Sequence, residues 1–467
     1  PYNQNIQTGM SQAYRATDAM NVSPRFGFIW SPRGDDKTVI SGGIGLFYDA
    51  LSQGIIEPAF QSVPKVVDQR VPGALWADPT SAGGPAIAAA SAAALKAGFA
   101  GGATYDSLKA ELGSMFRAPS FTNFAGTFHT PQYQEWNLQV QRAISSNMSV
   151  TLNYTGIHGI HIPISNGALN AWDPYGLGAG FPSTVPDKSY AGVTQWFTGA
   201  NSNANNLTAS FQRRFANGLM VQANYTWGHA LDEVSNGGAF VYGSDSLLGQ
   251  LNPASLRANN YGNADYDIRH NFTGTFMWES PHKFSNSIVN TLMGGWSFAG
   301  SIFARSGQPY TVLDANTNGY FPNYYGGLGY FPAQPLGPGA TYGQGSCSDP
   351  SSQCFNPSSF LDGSVSGYAV FPTQRRNQYR GPGLFDANFS PSKNFSLTER
   401  MKLNVGANFY NIFNHPNFYL PNMYLYTGDP TVGKIYQTVG APASMYGSFV
   451  GAAAAPRLIQ LQAKITF

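Results

Sequence analysis

The segment Arg457-Leu-Ile-Gln-Leu-Gln-Ala-Lys-Ile-Thr-Phe467 alternates between apolar and polar residues from its third position to the end of the chain. A period of two places the apolar side chains on one face of a strand and the polar side chains on the other. The apolar face holds Ile459, Leu461, Ala463, Ile465 and Phe467, and the polar face holds Gln460, Gln462, Lys464 and Thr466. The segment therefore predicts a β-strand with one apolar and one polar face.

Ten further segments show the same alternation, so the sequence predicts eleven strands. They are Phe26–Trp30, Ile40–Tyr48, Trp136–Val140, Val150–Tyr154, Leu207–Phe211, Val221–Trp227, Phe272–Trp278, Trp296–Ile302, Phe385–Phe389 and Met401–Phe409. Several of the alternating runs extend to about 10–14 residues, against a usual strand length of about five or six.

The connections between these strands alternate in length. The short ones are Pro32–Lys37, Ile144–Met148, Ala216–Gly218, Ser396–Glu399 and the medium Ser280–Leu292, and the long ones are 51–131, 159–204, 231–265, 307–383 and 414–456. A soluble sandwich gives no reason for one end to be consistently tight, whereas outer-membrane barrels have short periplasmic turns and long outer loops. The sequence predicts an all-β fold, an antiparallel transmembrane β-barrel with long extracellular loops, located in the bacterial outer membrane and in contact with its lipid.

Composition agrees with this prediction. Only 11% of the 467 residues are charged, and the net charge is +2. No basic stripe is available for phosphate contacts, which argues against a nucleic-acid partner. The polar strand faces carry Asn, Gln, Ser and Thr, as a wet lumen requires, and aromatic residues near strand ends are typical of interfacial girdles. A secreted β-sandwich or propeller is the alternative, and the length of the strands disfavours it.

The last strand runs from a long loop to the chain end, which puts Phe467 at the periplasmic rim. A terminal Phe on an alternating strand resembles the signal read by the outer-membrane assembly machinery, with Ile465 and Leu461 on the same face. Because single-chain bacterial barrels usually have an even number of strands, we expect eleven strands to be half of a larger barrel. The chain begins at Pro1 without a leader, and we expect it to lack its true N-terminus.

Several blocks resemble, in order, the hairpins of TonB-dependent receptors of the Oar-like type, abundant in Acidobacteria. They are NVSPRFGFIWSPRGDDKTVISGGIGLFYD (21–49), TPQYQEWNLQVQRAISSNMSVTLNYTGIHGIHI (130–162), LTASFQRRFANGLMVQANYTWGHALDE (207–233), DYDIRHNFTGTFMWESP (265–281), MGGWSFAGSIFARSGQPYTV (293–312) and RGPGLFDANFSPSKNFSLTERMKLNVGANFYNIFNHPNF (380–418). The resemblance implies a barrel of about 22 strands with an internal plug. Residues 1–467 would be the C-terminal part of one barrel domain, and the TonB complex would act only through N-terminal parts that this sequence does not contain.

No motif predicts catalysis or a cofactor. The sequence has no nucleophile elbow, phosphate loop or zinc-protease helix motif, so we expect no enzyme activity and no cofactor. His158 and His161 lack a nearby third ligand for a metal. The run from Asp265 to His270 predicts a salt-bridge network at the barrel entrance.

Two features concern the outer loops. Cys347 and Cys354 lie in one long loop on the oxidising side, which predicts a disulfide, with two free thiols as the alternative. Aromatic faces suit sugars and planar chelates, so the possible ligand contacts in the loops are Trp172, Trp196, Tyr320, Tyr324 and Tyr325. The ligand class stays open between a carbohydrate, a chelate and a peptide. A surface or export protein without an uptake role, and a passive porin, are the alternative functions.

Overall fold

The structure of the chain is a computed structural model. It describes residues 20–51 except 33, 35 and 36, then 62–63, 66–67, 84–178 except 126, 180–235, 252, 254–280, 285–317, 321, 331–337, 353–398 except 370, 400–440 and 456–467.

Within the described residues, eleven strands follow one another along a single thirteen-stranded sheet, and two short strands pair beside them. In sheet order they are β1 (Arg25–Trp30), β2 (Thr38–Tyr48), β4 (Gln132–Ser145), β5 (Met148–Asn166), β6 (Val193–Ala216), β7 (Leu219–Asp232), β9 (His270–Glu279), β10 (Trp296–Arg305), β15 (Leu384–Ser396), β16 (Lys402–Tyr410) and β18 (Leu458–Thr466). Every neighbouring pair is antiparallel. The eleven predicted strands and the all-β antiparallel class are confirmed. Among the described residues β1 pairs only with β2 and β18 only with β16, so the sheet is open.

The pairing register separates an apolar from a polar face. One row of partners crosses nine strands through Trp30, Ile40, Val140, Leu152, Ala209, Tyr225, Phe272, Ala304 and Phe385. The row one residue away crosses seven strands through Ser41, Gln139, Asn153, Thr208, Thr226, Asn271 and Arg305. We call the first face the outward face, because a membrane barrel turns its apolar side to lipid and its polar side to the lumen.

The two ends of the sheet differ in their connections, as predicted. At one end the turns are short: Ser146 and Asn147 join β4 to β5, and Asn217 and Gly218, with φ of 52° and 77°, join β6 to β7. Positive φ at both central residues is the hairpin geometry that Asn-Gly adopts readily. We name this end the short-turn end and the opposite end the long-loop end.

The strands β5 and β6 extend furthest beyond the segments predicted for them. The predicted connection 159–204 shrinks to residues 167–192, because β5 continues to Asn166 and β6 begins at Val193. Pairing persists there through two register shifts between Gly159 and Ile164, and His161 has a φ of 58°. The prediction failed because the Asn-rich start of β6 has a low strand propensity, which backbone pairing to β5 overrides.

The described parts of the connections contain seven short strands and five α-helices. The strands are β3 (Phe121–Phe124), β8 (Gly262–Asn263), β11 (Pro309–Tyr310), β12 (Leu313–Asp314), β13 (Phe331–Pro332), β14 (Tyr379–Arg380) and β17 (Tyr424–Leu425). The helices are α1 (Pro85–Ala100), α2 (Tyr105–Leu112), α3 (Leu256–Asn260), α4 (Ser287–Met293) and α5 (Gly363–Ser366). The Ala-rich run at 86–100 is helical, as its composition predicts. Among the described residues, no helix combines the length and apolarity that crossing a membrane would require.

Candidate ligand-binding site at the long-loop end

The long connections pack into a folded layer with its own core. Residues from 310–360 and 379–435 bury their side chains against each other at the long-loop end. The cluster holds Tyr310, Val312, Ala333, Cys354, Phe355, Phe360, Tyr379, Leu420, Met423, Leu425, Val432 and Ile435. Short β-pairings hold this layer together, β11 with β14 and β12 with both β13 and β17. The described parts of these loops therefore form a defined surface.

A second cluster brings the connection after β5 into the same layer. Its buried members are Ala168, Ala171, Phe181, Phe321, Phe331, Tyr368 and Phe371. The rings of Phe181 and Phe321 lie 5.4 Å apart between centroids, and those of Phe321 and Phe331 lie 4.6 Å apart. Such aromatic pairs add to the energy of apolar burial, so segments far apart in sequence act as one unit.

Gln374 supports the layer from inside. Its amide Nε2 donates to the carbonyl oxygens of Val312 at 2.6 Å and Ala333 at 3.0 Å, and its Oε1 accepts from the Val312 N–H at 3.2 Å. The side chain is 1% exposed. Val312 and Ala333 directly flank β12 and β13, so this buried amide fixes the spacing of the two segments, because leaving their backbone groups unpaired is costly.

A buried ion pair ties the layer to the end of β7. Arg376 donates from Nη2 to Oδ1 and to the backbone oxygen of Asp232, both at 2.9 Å, and from Nη1 to the Ser235 carbonyl at 2.6 Å. The two side chains are 1% and 2% exposed. Removing one partner of such a pair strands a buried charge, so the loop layer and the sheet are coupled here.

Asp267, just before β9, is the centre of a second ionic group. Its carboxylate pairs with Arg269 at 3.1 Å and with Arg380, and it accepts the Ala230 N–H at 2.8 Å. Burial alone would raise the pKa of Asp267, but the Ala230 N–H, Arg380 and Arg269 outweigh it and hold the pKa below its usual range. The predicted salt-bridge network around residues 265–270 is present, and its partner Arg380 is a residue that the sequence did not indicate.

Asp314 and Tyr368 form a buried hydrogen bond within the layer. The Tyr368 hydroxyl donates to Oδ2 of Asp314, which is fully buried and also accepts the Gly363 N–H at 3.2 Å. Burial raises the pKa of Asp314, and burial and the nearby Asp314 raise the pKa of Tyr368. Both groups are therefore hydrogen-bonding partners inside the layer and are sealed from a ligand.

A cleft of about 290 Å³ opens on the layer. Its polar lining includes Asn316, Asp362, Thr427 and Asp429, with Tyr426, which is 61% exposed. Burial would raise the pKa of Asp362, but hydrogen bonds from Ser364 and Thr427 lower it overall, and bonds from Thr431 lower the pKa of Asp429. Two ionised carboxylates and an exposed aromatic ring can bind hydroxyl groups or a cationic group, and they repel an anion.

The chain matches the family model described as "Outer membrane beta barrel domain" over residues 2–460. It belongs to this family of outer-membrane β-barrel domains. The bacterial outer membrane is therefore its location. The barrel rule predicts that the outward face meets lipid and that the long-loop end lies outside the cell.

Solved structures with a similar fold are outer-membrane transporters and receptors, at low identity. The outer membrane transporter YddB from Escherichia coli has a TM-score of 0.45 and 8% identity, covering 96% of this chain and 40% of its own. A ferric enterobactin receptor mutant from Pseudomonas aeruginosa has a TM-score of 0.41 and 11% identity, covering 96% and 40%. The ferric citrate transporter FecA has a TM-score of 0.39 and 9% identity, covering 95% and 38%. This chain thus spans less than half of the length of each. No curated protein matches it.

The predicted ligand contacts fall in different places in this outer-membrane barrel. Trp172 is half-buried and directly follows Ala171, a member of the second cluster. Trp196 is 3% exposed and lies on β6 between its ladder partners Ser165 on β5 and Phe124 on β3, so its ring offers no open face to a ligand. Tyr320, Tyr324 and Tyr325 lie outside the described residues. Sequence reasoning missed Tyr426, Asp362 and Asp429. The sequence does hold a signal for Asp362 and Asp429: charged residues are scarce in this chain, so a carboxylate in a mostly apolar loop is a candidate for a functional role.

The structure describes one of the two cysteines and the two histidine rings near the start of β4. Cys354 is 1% exposed and disulfide-bonded. Cys347 lies outside the described residues, so the pairing of these two residues stays a prediction. The rings of His161 and His129 stack at 4.7 Å. Within the described part of the chain, no three His, Cys, Asp or Glu side chains form a group that could hold a metal ion.

The last strand places the proposed assembly residues on the outward face. Leu461, Ile465 and Phe467 are 80%, 49% and 88% exposed. In register, Leu461 pairs with Ala407 and Ile465 pairs with Leu403 on β16. A role in assembly stays a prediction.

Proposed function

We propose that this chain is the C-terminal part of the barrel of a TonB-dependent-receptor-like protein of the Oar-like type. In this proposal the protein binds a ligand at the long-loop end and passes it through the lumen, without enzymatic activity. The observation that carries the proposal is the folded loop layer, with a solvent-open cleft, tied to the strand ends by the Arg376–Asp232 pair.

The open sheet supports the partial-barrel aspect of the proposal. β1 and β18 are edges in the described sheet, and an unpaired backbone group in hydrocarbon costs several kcal/mol. Both edges therefore need further strands in the membrane. We propose that those strands, with a plug, belong to the rest of the protein, and that the TonB complex acts through that rest. The outer-membrane assembly machinery would read β18 with Phe467.

The acidic lining of the cleft favours a carbohydrate or a basic peptide over an anionic chelate as the ligand. Asp362 and Asp429 are ionised, and the residues that line the cleft in the described structure include no Lys or Arg. We propose that a neutral polyhydroxylated or cationic ligand binds there, such as a carbohydrate or a basic peptide. An anionic chelate would be repelled.

A binding experiment tests the receptor function. The whole protein would be purified in detergent, and its binding of three labelled probes measured: a neutral oligosaccharide, a cationic hexapeptide and ferric citrate. Binding of one of the first two, weakened at least tenfold by Asp362→Asn but unchanged by Asp187→Asn, would support the proposal. Binding of ferric citrate alone would contradict the proposed ligand class.

Measurements of ion conductance and of TonB-dependent uptake distinguish a receptor from a passive porin and from a surface or export protein. A passive porin would conduct KCl steadily in a planar bilayer, whereas a barrel filled by a plug stays closed. Uptake of the bound probe should stop in cells without TonB. A closed barrel that binds none of the three probes would instead support the surface or export protein, which has no uptake role.

A further inference from the structure

Helix α4 occupies the connection between β9 and β10 at the short-turn end. Asn286 caps it, because its side chain accepts the N–H groups of Ile288 at 2.8 Å and Val289 at 3.2 Å. Such a cap is the usual way to satisfy the first N–H groups of a helix. Gly294 ends the helix, and its N–H bonds to the carbonyl of Asn290. The sequence predicted only a turn of medium length here.

One face of α4 is apolar and open. Ile288, Val289, Leu292 and Met293 are 70%, 41%, 64% and 60% exposed. Residues spaced by four along a helix lie on the same side, so these four side chains form one stripe. Nothing in the described part of the chain covers this stripe, and a continuous apolar surface of this kind marks an interaction site.

The end of the helix is fastened to the outward face of the sheet. The carbonyl of Leu292 accepts the Lys393 Nζ at 2.8 Å and the Trp296 Nε1 at 2.9 Å. Trp296 and Lys393 are register partners on β10 and β15, and the Lys393 Nζ lies 5.0 Å over the Trp296 ring. A cation at the C-terminal end of a helix is favourable, so α4 is held on the lipid side of the rim.

The apolar stripe continues the outward face. Beside α4 the rings of Trp296 and Phe298 stack at 5.6 Å between centroids, and Phe298 stacks on Trp278 at 5.5 Å and on Phe389 at 5.9 Å. Aromatic belts of this kind lie at the level of lipid headgroups. The α4 stripe therefore adjoins this aromatic band of the outward face through the bonds of the Leu292 carbonyl to Trp296 and Lys393.

We propose that α4 is an interfacial helix that seats Ile288, Val289, Leu292 and Met293 in the phospholipid leaflet facing the short turns. Its partner is the lipid surface, because the stripe continues a face that already meets lipid. The apolar face of such a helix enters the boundary between headgroups and acyl chains. Lys393 and Trp296 are positioning residues that hold the helix at this depth.

Site-directed spin labelling tests the depth of α4. The whole protein would be placed in vesicles of phosphatidylethanolamine and phosphatidylglycerol, with labels at Ile288→Cys or Leu292→Cys. Leu461→Cys provides the lipid reference and Ser285→Cys, exposed before the helix, provides the water reference. The parent protein, which has only its native cysteines, is treated with the spin label in the same way, to measure how much label those cysteines take up. We expect both helix labels to collide with oxygen more than with nickel-EDDA, as Leu461→Cys does.

Two outcomes would overturn the proposal. Nickel-EDDA accessibility equal to that of Ser285→Cys would place the helix in water. Protection from both reagents would show that protein, not lipid, covers the stripe. As a further check, Leu292→Glu should raise nickel-EDDA accessibility at Ile288→Cys several-fold, and Ser285→Glu should leave it unchanged. We expect Leu292→Glu to leave the stability of the sheet nearly unchanged, because a charge near the membrane rim costs little free energy.

Discussion

Arg376 and Asp232 lie 144 positions apart in the chain, yet the Nη2 of the first donates to Oδ1 of the second at 2.9 Å with both side chains buried. The contact joins the long connection between β10 and β15 to the last residue of β7. Since a buried charge is tolerated only when it is paired, each residue fixes the position of the other. The shape of the loop layer therefore depends on a residue of the barrel wall.

The first prediction removes this pair. Arg376→Met leaves Asp232 buried and uncompensated, which should destabilise the attachment of the loop layer by about 3–5 kcal/mol. Arg375→Met is the matched control, because Arg375 is exposed beside it. Limited proteolysis of the protein should cut within 306–383 much faster in Arg376→Met than in Arg375→Met. Heat-modifiable migration of the barrel on gels should be retained, and equal resistance of the two variants would refute the coupling.

The second prediction concerns acid. Because the pKa of Asp267 is lowered in the folded state, its ion pairs contribute fully above the unfolded value of about 3.9. This contribution is lost as the pH falls through the lower folded value. We expect protease resistance of the long-loop end to fall below about pH 4, and Asp267→Asn to weaken it already at pH 7 and flatten its acid dependence. Glu111→Gln, exposed on α2, is the control, and an unchanged acid profile in Asp267→Asn would count against this assignment.

The strands could be predicted because membrane geometry imposes a simple rule on them. Leu461 faces lipid and Gln462 faces the wet lumen, and this difference alone decides that the first is apolar and the second polar. The ends of β5 and β6 could not be predicted, because above the membrane both faces meet protein or water and the alternation fades. Only backbone pairing, which the sequence does not reveal, extends these strands.

The candidate site was predictable only in outline. The run from Asp265 to His270 indicated an ionic network, since charges cluster there in a chain that has few. The long-range pairs Arg380–Asp267 and Arg376–Asp232 could not be predicted, because loop contacts over more than a hundred residues have no periodic signal in the sequence. Trp196 illustrates the same limit: the sequence does not tell whether an aromatic residue in a long connection is a ligand contact or a core residue, and in the structure Trp196 is buried.

The third prediction tests orientation with a matched pair of substitutions. Ser146 lies in the two-residue turn at the short-turn end, and Ser366 lies on α5 at the long-loop end, both exposed. On intact cells, a membrane-impermeant maleimide should label Ser366→Cys and spare Ser146→Cys. After outer-membrane permeabilisation both should react. Labelling of Ser146→Cys alone on intact cells would reverse the orientation and move the loop layer to the periplasm.

The last prediction tests the two faces of β18. Leu461 faces outward and is 80% exposed, while its neighbour Gln462 lies on the polar face and pairs with Gly406. A charge that faces lipid at mid-membrane costs about 2–4 kcal/mol and much less near the rim. Leu461→Arg should therefore reduce the yield of folded protein strongly, Ile465→Arg less, and Gln462→Arg hardly at all. The measurement is the fraction of heat-modifiable protein in outer membranes at equal expression. Equal losses for Leu461→Arg and Gln462→Arg would show that the strand does not separate lipid from lumen.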